Sequence, residues 1–159
     1  MTGYKIPCAS YVPDHRPVPR FWHPVEVSRM QAVYYRAANG DEQVRDFILA
    51  LPARAKTAIL VQISRLNTLE PGDPPLPFPY SSQVEGELRE LRCHYGSSLF
   101  RVLYRRSENL FALLRAFEKR TGTVPRSEVE LAARSWDDLN RRMRERPRRP
   151  PRALGHDAP

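Results

Sequence analysis

A run of basic side chains is concentrated between residues 89 and 120: Arg89, Arg92, His94, Arg101, Arg105, Arg106, Arg115, Lys119 and Arg120. Guanidinium and ammonium groups bind phosphate, and an imidazole with an ordinary pKa near 6.5 moves protons at neutral pH. Alternation sorts these residues by face. In the stretch 99–106, Arg101, Leu103 and Arg105 share one side of a strand, while Phe100, Val102 and Tyr104 share the other. One stretch earlier, Arg92 and His94 lie with Glu90, and Leu91 and Cys93 point the opposite way. A sheet that offers such cations beside Tyr104 and Phe117 would clamp phosphates and stack bases. The same pattern fits cross-strand ion pairs, Glu87 or Glu90 with Arg101 or Arg115. Both readings stand on the pattern alone.

The elements that position these residues are legible from periodicity. QAVYYRA, after Met30, reads as a strand stopped by Asn39 and Gly40. Val44, Phe47, Ile48 and Leu51 repeat at helical spacing, with Asp41 placed to cap the start. Pro52 ends that helix, and Ala55, Ala58, Ile59, Ile63, Leu66 and Leu69 form a second, up to Pro71 and Gly72. The proline-rich stretch Glu70 to Gln83 reads as a stiff loop. Three strands follow, Glu87 to Tyr95, Leu99 to Arg106 and Leu110 to Lys119, and their short connections predict an antiparallel meander. Pro125 suits the first turn of a last helix. Its stripe of Val129, Ala132, Trp136, Leu139 and Met143 packs on the sheet or presents a rim to a partner. The expected class is α+β: a small antiparallel sheet built as strand, two helices, three-strand meander and C-terminal helix, with helices packed on one face and the other partly open.

The domain is expected over 30–145, between a Pro-rich extension, 1–29, and an Arg/Pro-rich tail, 146–159, both poorly ordered by composition. Met30 is a candidate translation start. The 159 residues are 41% hydrophobic, which suits one modest core. All but three of the 26 cations are Arg, and the net charge is +8, so polyanions lead among partner classes. No apolar run approaches the roughly 20 residues of a membrane span, and the N-terminus lacks the apolar segment of a secretory signal. The expected location is the cytoplasm. Cys8 and Cys93 are far apart and form no CxxC, which argues against a zinc knuckle or a disulfide framework.

Three motifs in order carry a family resemblance. Glu90-Leu91-Arg92, then Phe100-Arg101-Val102-Leu103-Tyr104, then Phe117-Glu118-Lys119-Arg120-Thr121 with Pro125, Glu128 and Ala132 behind, resemble the ELR, (Y/F)RVLY and FxKKTxKxP signatures of phage Gp49-like proteins. These form the HigB-type branch of the RelE/ParE toxin superfamily, and the resemblance covers about residues 30–143. It implies the toxin of a type II toxin-antitoxin pair, a ribosome-dependent mRNA endonuclease that needs no metal and no small-molecule cofactor. It also implies a cognate helix-turn-helix (HigA-like) antitoxin. In such a toxin a ribose 2′-hydroxyl attacks the next phosphate in line and leaves a 2′,3′-cyclic phosphate. Arg101 and Lys119 would neutralise the charge of the phosphorane, Arg92 would hold the backbone, and His94 is the candidate for proton transfer. Arg89, Arg92, Tyr104, Arg115 and Arg120 are the expected RNA-binding set. The sequence departs from the signatures at two places: Pro77 to Gln83 contains no cation, and Thr121-Gly122-Thr123-Val124-Pro125 replaces TxKxP. Two alternatives remain at this level, a ParE-like gyrase inhibitor on the same fold and a noncatalytic phage-derived module that binds RNA or protein.

Overall fold

Helical spacing in one stretch and alternation in the next produce the helices and strands expected, with one strand more. The computed structural model describes residues 30–120 and 122–145. In it β1 (Gln31–Tyr34) precedes α1 (Gln43–Ala50) and α2 (Ala53–Leu66). Then come β2 (Ser81–Glu85), β3 (Leu88–Tyr95), β4 (Ser98–Ser107), β5 (Leu110–Glu118) and α3 (Arg126–Glu145). The expectations for 1–29 and 146–159 lie outside the described residues. Among the described residues no helix is long and apolar enough to cross a membrane.

The α1 face is set by Val44 and Ile48, and α2 buries Ala55, Ile59, Ile63 and Leu66 as a ladder. Full burial of each large aliphatic side chain is worth about 1.5–3 kcal/mol. Asp41 is not the helix cap. The cap position is Glu42, which makes no side-chain capping bond, while the Asp41 carboxylate accepts a bond from Asn39 Nδ2 at 2.6 Å and so braces the preceding turn.

The fold is α+β, and three details correct the expectation. The five strands run in the order β1-β5-β4-β3-β2, and β1 joins β5 in parallel, so the sheet is mixed rather than antiparallel throughout. The chain between the two strands, α1, α2, the long loop and β2 to β4, is far longer than the crossover a parallel pair requires. Second, the proline-rich loop ends at Tyr80, because the prolines stop at Pro79 and leave Ser81–Glu85 free to pair with β3 as an edge strand. Third, the helices lie on both faces. Val44, Ile48, Ile59 and Ile63 pack on Leu91, Cys93, Phe100, Val102 and Tyr104. Val129, Ala132, Trp136 and Leu139 of α3 pack on Leu88, Leu103, Ala112 and Leu114 from the opposite side. The α3 stripe is buried on the sheet and presents no rim, because the uncovered apolar residues of β3, β4 and β5 require a lid.

Candidate nucleic-acid interface

The register of the meander lays the chemistry-bearing residues on a grid. One cross-strand row on the α3 side is Glu90, Leu103 and Arg115; the next is Arg92, Arg101 and Phe117. Beyond it His94 pairs with Leu99, and the Lys119 amide donates to the Leu99 carbonyl at 2.6 Å. His94 and Lys119 therefore flank β4 at the same level, two strand spacings or roughly 10 Å apart. The apolar stripe of α3 covers Leu88, Leu103, Ala112 and Leu114. Arg92, His94 and Lys119 stay at its edge, partly or fully exposed.

Between β2 and β3 on one side and the start of α3 on the other lies a cleft of about 440 Å³. Glu90, Arg92 and Lys119 line it, with Gln83, Val84 and Glu85 on one wall and Gly122, Val124, Arg126 and Val129 on the other. Volumes from about 300 Å³ accommodate small organic groups. The cleft carries charge of both signs. Arg126 binds Glu85 at 2.5 Å and Glu130 at 3.3 Å, which neutralises its wall. Among the described residues the Lys119 ammonium makes no ion pair, so it is the cation most available to an incoming anion.

Glu90 organises the floor. It is 4% exposed, accepts a bond from Ser82 Oγ at 2.8 Å, and has Arg101 Nε at 3.0 Å and Arg92 Nη1 at 3.7 Å. The Arg101 contact is an ion pair outside hydrogen-bond alignment, and Arg101 Nη1 donates instead to the Phe100 carbonyl at 2.8 Å. Burial pulls the Arg101 guanidinium below its ordinary pKa, and the Glu90 carboxylate opposes that shift. Burial likewise pushes the Cys93 thiol up to about 12, so it remains a neutral core residue.

The predicted residues thus divide. Arg92, Lys119 and His94 share the uncovered end of one face. Arg101 lies on that face but is 1% exposed. It acts as the partner of Glu90, so the expected direct contact with phosphate is corrected to a supporting position. Tyr104 is not a base-stacking residue. It points into the α1/α2 core, bonds Ser81 Oγ at 2.8 Å and meets Phe111 edge to face. Arg89 faces that same side, opposite Tyr104. Arg115 is held by Glu128 of α3 at 2.7 Å, and Arg105 lies over the Trp136 ring and pairs with Glu87. Arg120 is exposed past the end of β5. Sequence reasoning missed Phe78, an exposed ring with the Arg92 guanidinium 4.9 Å from its centroid. The absence of a cation in 77–83 drew attention away from an aromatic there.

A five-strand mixed sheet with two helices on one side and a third on the other is a RelE-like α+β fold. The chain belongs to the phage-derived Gp49-like family (DUF891), whose model matches residues 46–137, from within α1 to within α3. That family is a RelE/HigB-type toxin family. Among curated proteins none matches the chain.

Proposed function

We propose that this protein is the toxin of a type II toxin-antitoxin pair, and that it arrests translation as a metal-independent endonuclease of mRNA on the ribosome. The observation that supports this reading is the convergence of Arg92 and Lys119 on one open cleft, above a buried Glu90–Arg101 pair that fixes their base. Arg92 holds the phosphate next to the scissile bond, and Lys119 neutralises charge on the phosphorane as the 2′-oxygen attacks. The P–O5′ bond breaks as the new P–O2′ bond forms. The 2′-hydroxyl proton leaves to a base and the 5′-oxygen gains one, giving a 2′,3′-cyclic phosphate and a 5′-hydroxyl. His94, on the same face, is the protein group suited to one of these transfers. The carboxylates of the cleft, Glu85 and Glu90, are held by arginines, so ribosomal groups are expected to align the bond. A helix-turn-helix antitoxin of complementary charge would neutralise the toxin and associate at a rate that falls with salt.

The test is primer extension on translated and untranslated copies of one message, with a gyrase supercoiling assay alongside. Cleavage only of the translated copy is expected. Lys119→Ala should abolish growth inhibition, and Arg92→Ala should weaken it, with both variants folded. Equal cleavage of the two copies, undiminished toxicity of both variants, or gyrase inhibition without cleavage would each overturn the proposal.

A further inference from the structure

Among the described residues the large apolar side chains left exposed are Leu49, Val61, Phe78 and Tyr95, and Phe78, at 70%, is the most exposed. Leu49 and Val61 are single positions on α1 and α2, and Tyr95 ends β3. Phe78 differs because it is tied to the cleft. The Arg92 guanidinium that lines the cleft lies 4.9 Å from the Phe78 ring centroid and 3.7 Å from Glu90. One cation therefore faces the phosphate site and an aromatic plane at once.

The turn under Phe78 is firmly held. Tyr80 and Ser81 donate their amides to the Pro77 carbonyl at 3.0 and 3.1 Å, and Arg92 donates its amide to the Tyr80 carbonyl at 2.8 Å. The Tyr80 ring is covered by the Arg65 guanidinium at 4.2 Å, and Ser81 is anchored in the core by Tyr104 at 2.8 Å. The backbone that carries Phe78 is thus held in place while its ring stays open to solvent, so binding costs little ordering of the chain beneath it. Arg92 occupies one side of it, and the exposed remainder matches the flat, sequence-tolerant surface on which an unpaired base stacks.

We propose that Phe78, with Arg92 against it, is a stacking platform for one unpaired base of single-stranded RNA, adjacent to the phosphate held by Arg92 and Lys119. The inference rests on the RNA reading above and adds to it the residue that grips a base. The platform biases which nucleotide sits beside the scissile bond through stacking strength, so purines are favoured over pyrimidines.

The experiment measures binding of the full chain to a short single-stranded RNA carrying one 2-aminopurine, and to the same RNA with an abasic site at that position. Stacking should quench the 2-aminopurine fluorescence with wild-type protein. Phe78→Ala should lose about tenfold in affinity and lose the quench, whereas Phe78→Trp should keep both. Wild type should bind the abasic RNA about as weakly as Phe78→Ala binds either RNA, a coupling that a merely structural role for Phe78 does not produce. Lys119→Ala should reduce the slope of log affinity against log salt by roughly 0.7, and Phe78→Ala should leave it unchanged. Equal affinity and quench for wild type and Phe78→Ala overturn the platform while leaving the RNA reading intact. Absence of any RNA binding by wild type, with or without ribosomes, overturns both.

Discussion

The two faces of the sheet are built from alternate residues of the same strands and do opposite things. Under α1 and α2 the surface is apolar apart from Arg89, and the Ser81–Tyr104 pair is a buried polar contact within it. Under α3 it changes character along the strands: Leu88, Leu103, Ala112 and Leu114 pack on the helix, and Glu90, in the row of Leu103, forms an ionic floor with Arg92 and Arg101 of the next row. The first face thereby lets the second keep charges in a poor place for stability. A buried ion pair recovers little more than its own desolvation, so the folding energy has to come from the apolar cores, of which the α1/α2 one is the larger.

The strongest way to break this contrast is to unpair the floor. Arg101→Ala should cost about 3–5 kcal/mol in urea unfolding because it strands a buried Glu90 carboxylate. The double change Arg101→Met with Glu90→Gln should recover much of that loss and still fail to inhibit translation. Ile59→Ala, on the opposite face, should cost a comparable 2–5 kcal/mol through the cavity it leaves. Any activity lost there should track the fraction unfolded.

A smaller effect sharpens the same division. Tyr104→Phe should cost about 1–3 kcal/mol by leaving Ser81 Oγ without its partner, yet the folded variant should inhibit growth as wild type does. Loss of activity at full folding would return Tyr104 to the site.

The smallest effect concerns the outer anchor of α3. Burial raises the Asp138 pKa, but the Tyr35 hydroxyl at 2.8 Å and the Arg142 and Arg141 guanidinium groups outweigh it and hold the carboxyl below its ordinary 3.8. A group depressed in the folded state stabilises the protein above its unfolded pKa, and that contribution fades as pH falls through the folded value. The urea midpoint should therefore drop below about pH 4 in wild type, and Asp138→Asn should show a shallower drop over the same range.

Local patterns in the sequence carried much of the architecture. The ladders of α1 and α2 and the short connections of the meander were readable because each is decided by near neighbours. The parallel pairing of β1 with β5 was not, since nothing local in QAVY specifies a partner so far along the chain. β2 was masked by the prolines before it and by SSQVE, a short edge strand with little apolar content. For the site, alternation grouped Arg92 with His94 and Arg101 with Arg105, and the register brings the two groups onto one face. It could not tell that Glu90 and the strands around it would bury Arg101, because burial depends on how far α3 extends over the grid. Cross-strand pairing explained Arg101, and pairing to α3 explained Arg115, where phosphate binding had been the rival reading.

The parallel seam also dictates an order of events. Gln31 is opposite Leu110, so the segment made early must wait for one synthesised about 80 residues later before its ladder can close. Such distant pairing is slow relative to helix formation, and until it happens β1 is an unsatisfied edge open to wrong partners. Lys119 follows β5 directly, so it is synthesised after the strand that closes the seam. A growing chain therefore has no complete cleft until Lys119 and the start of α3 have been added.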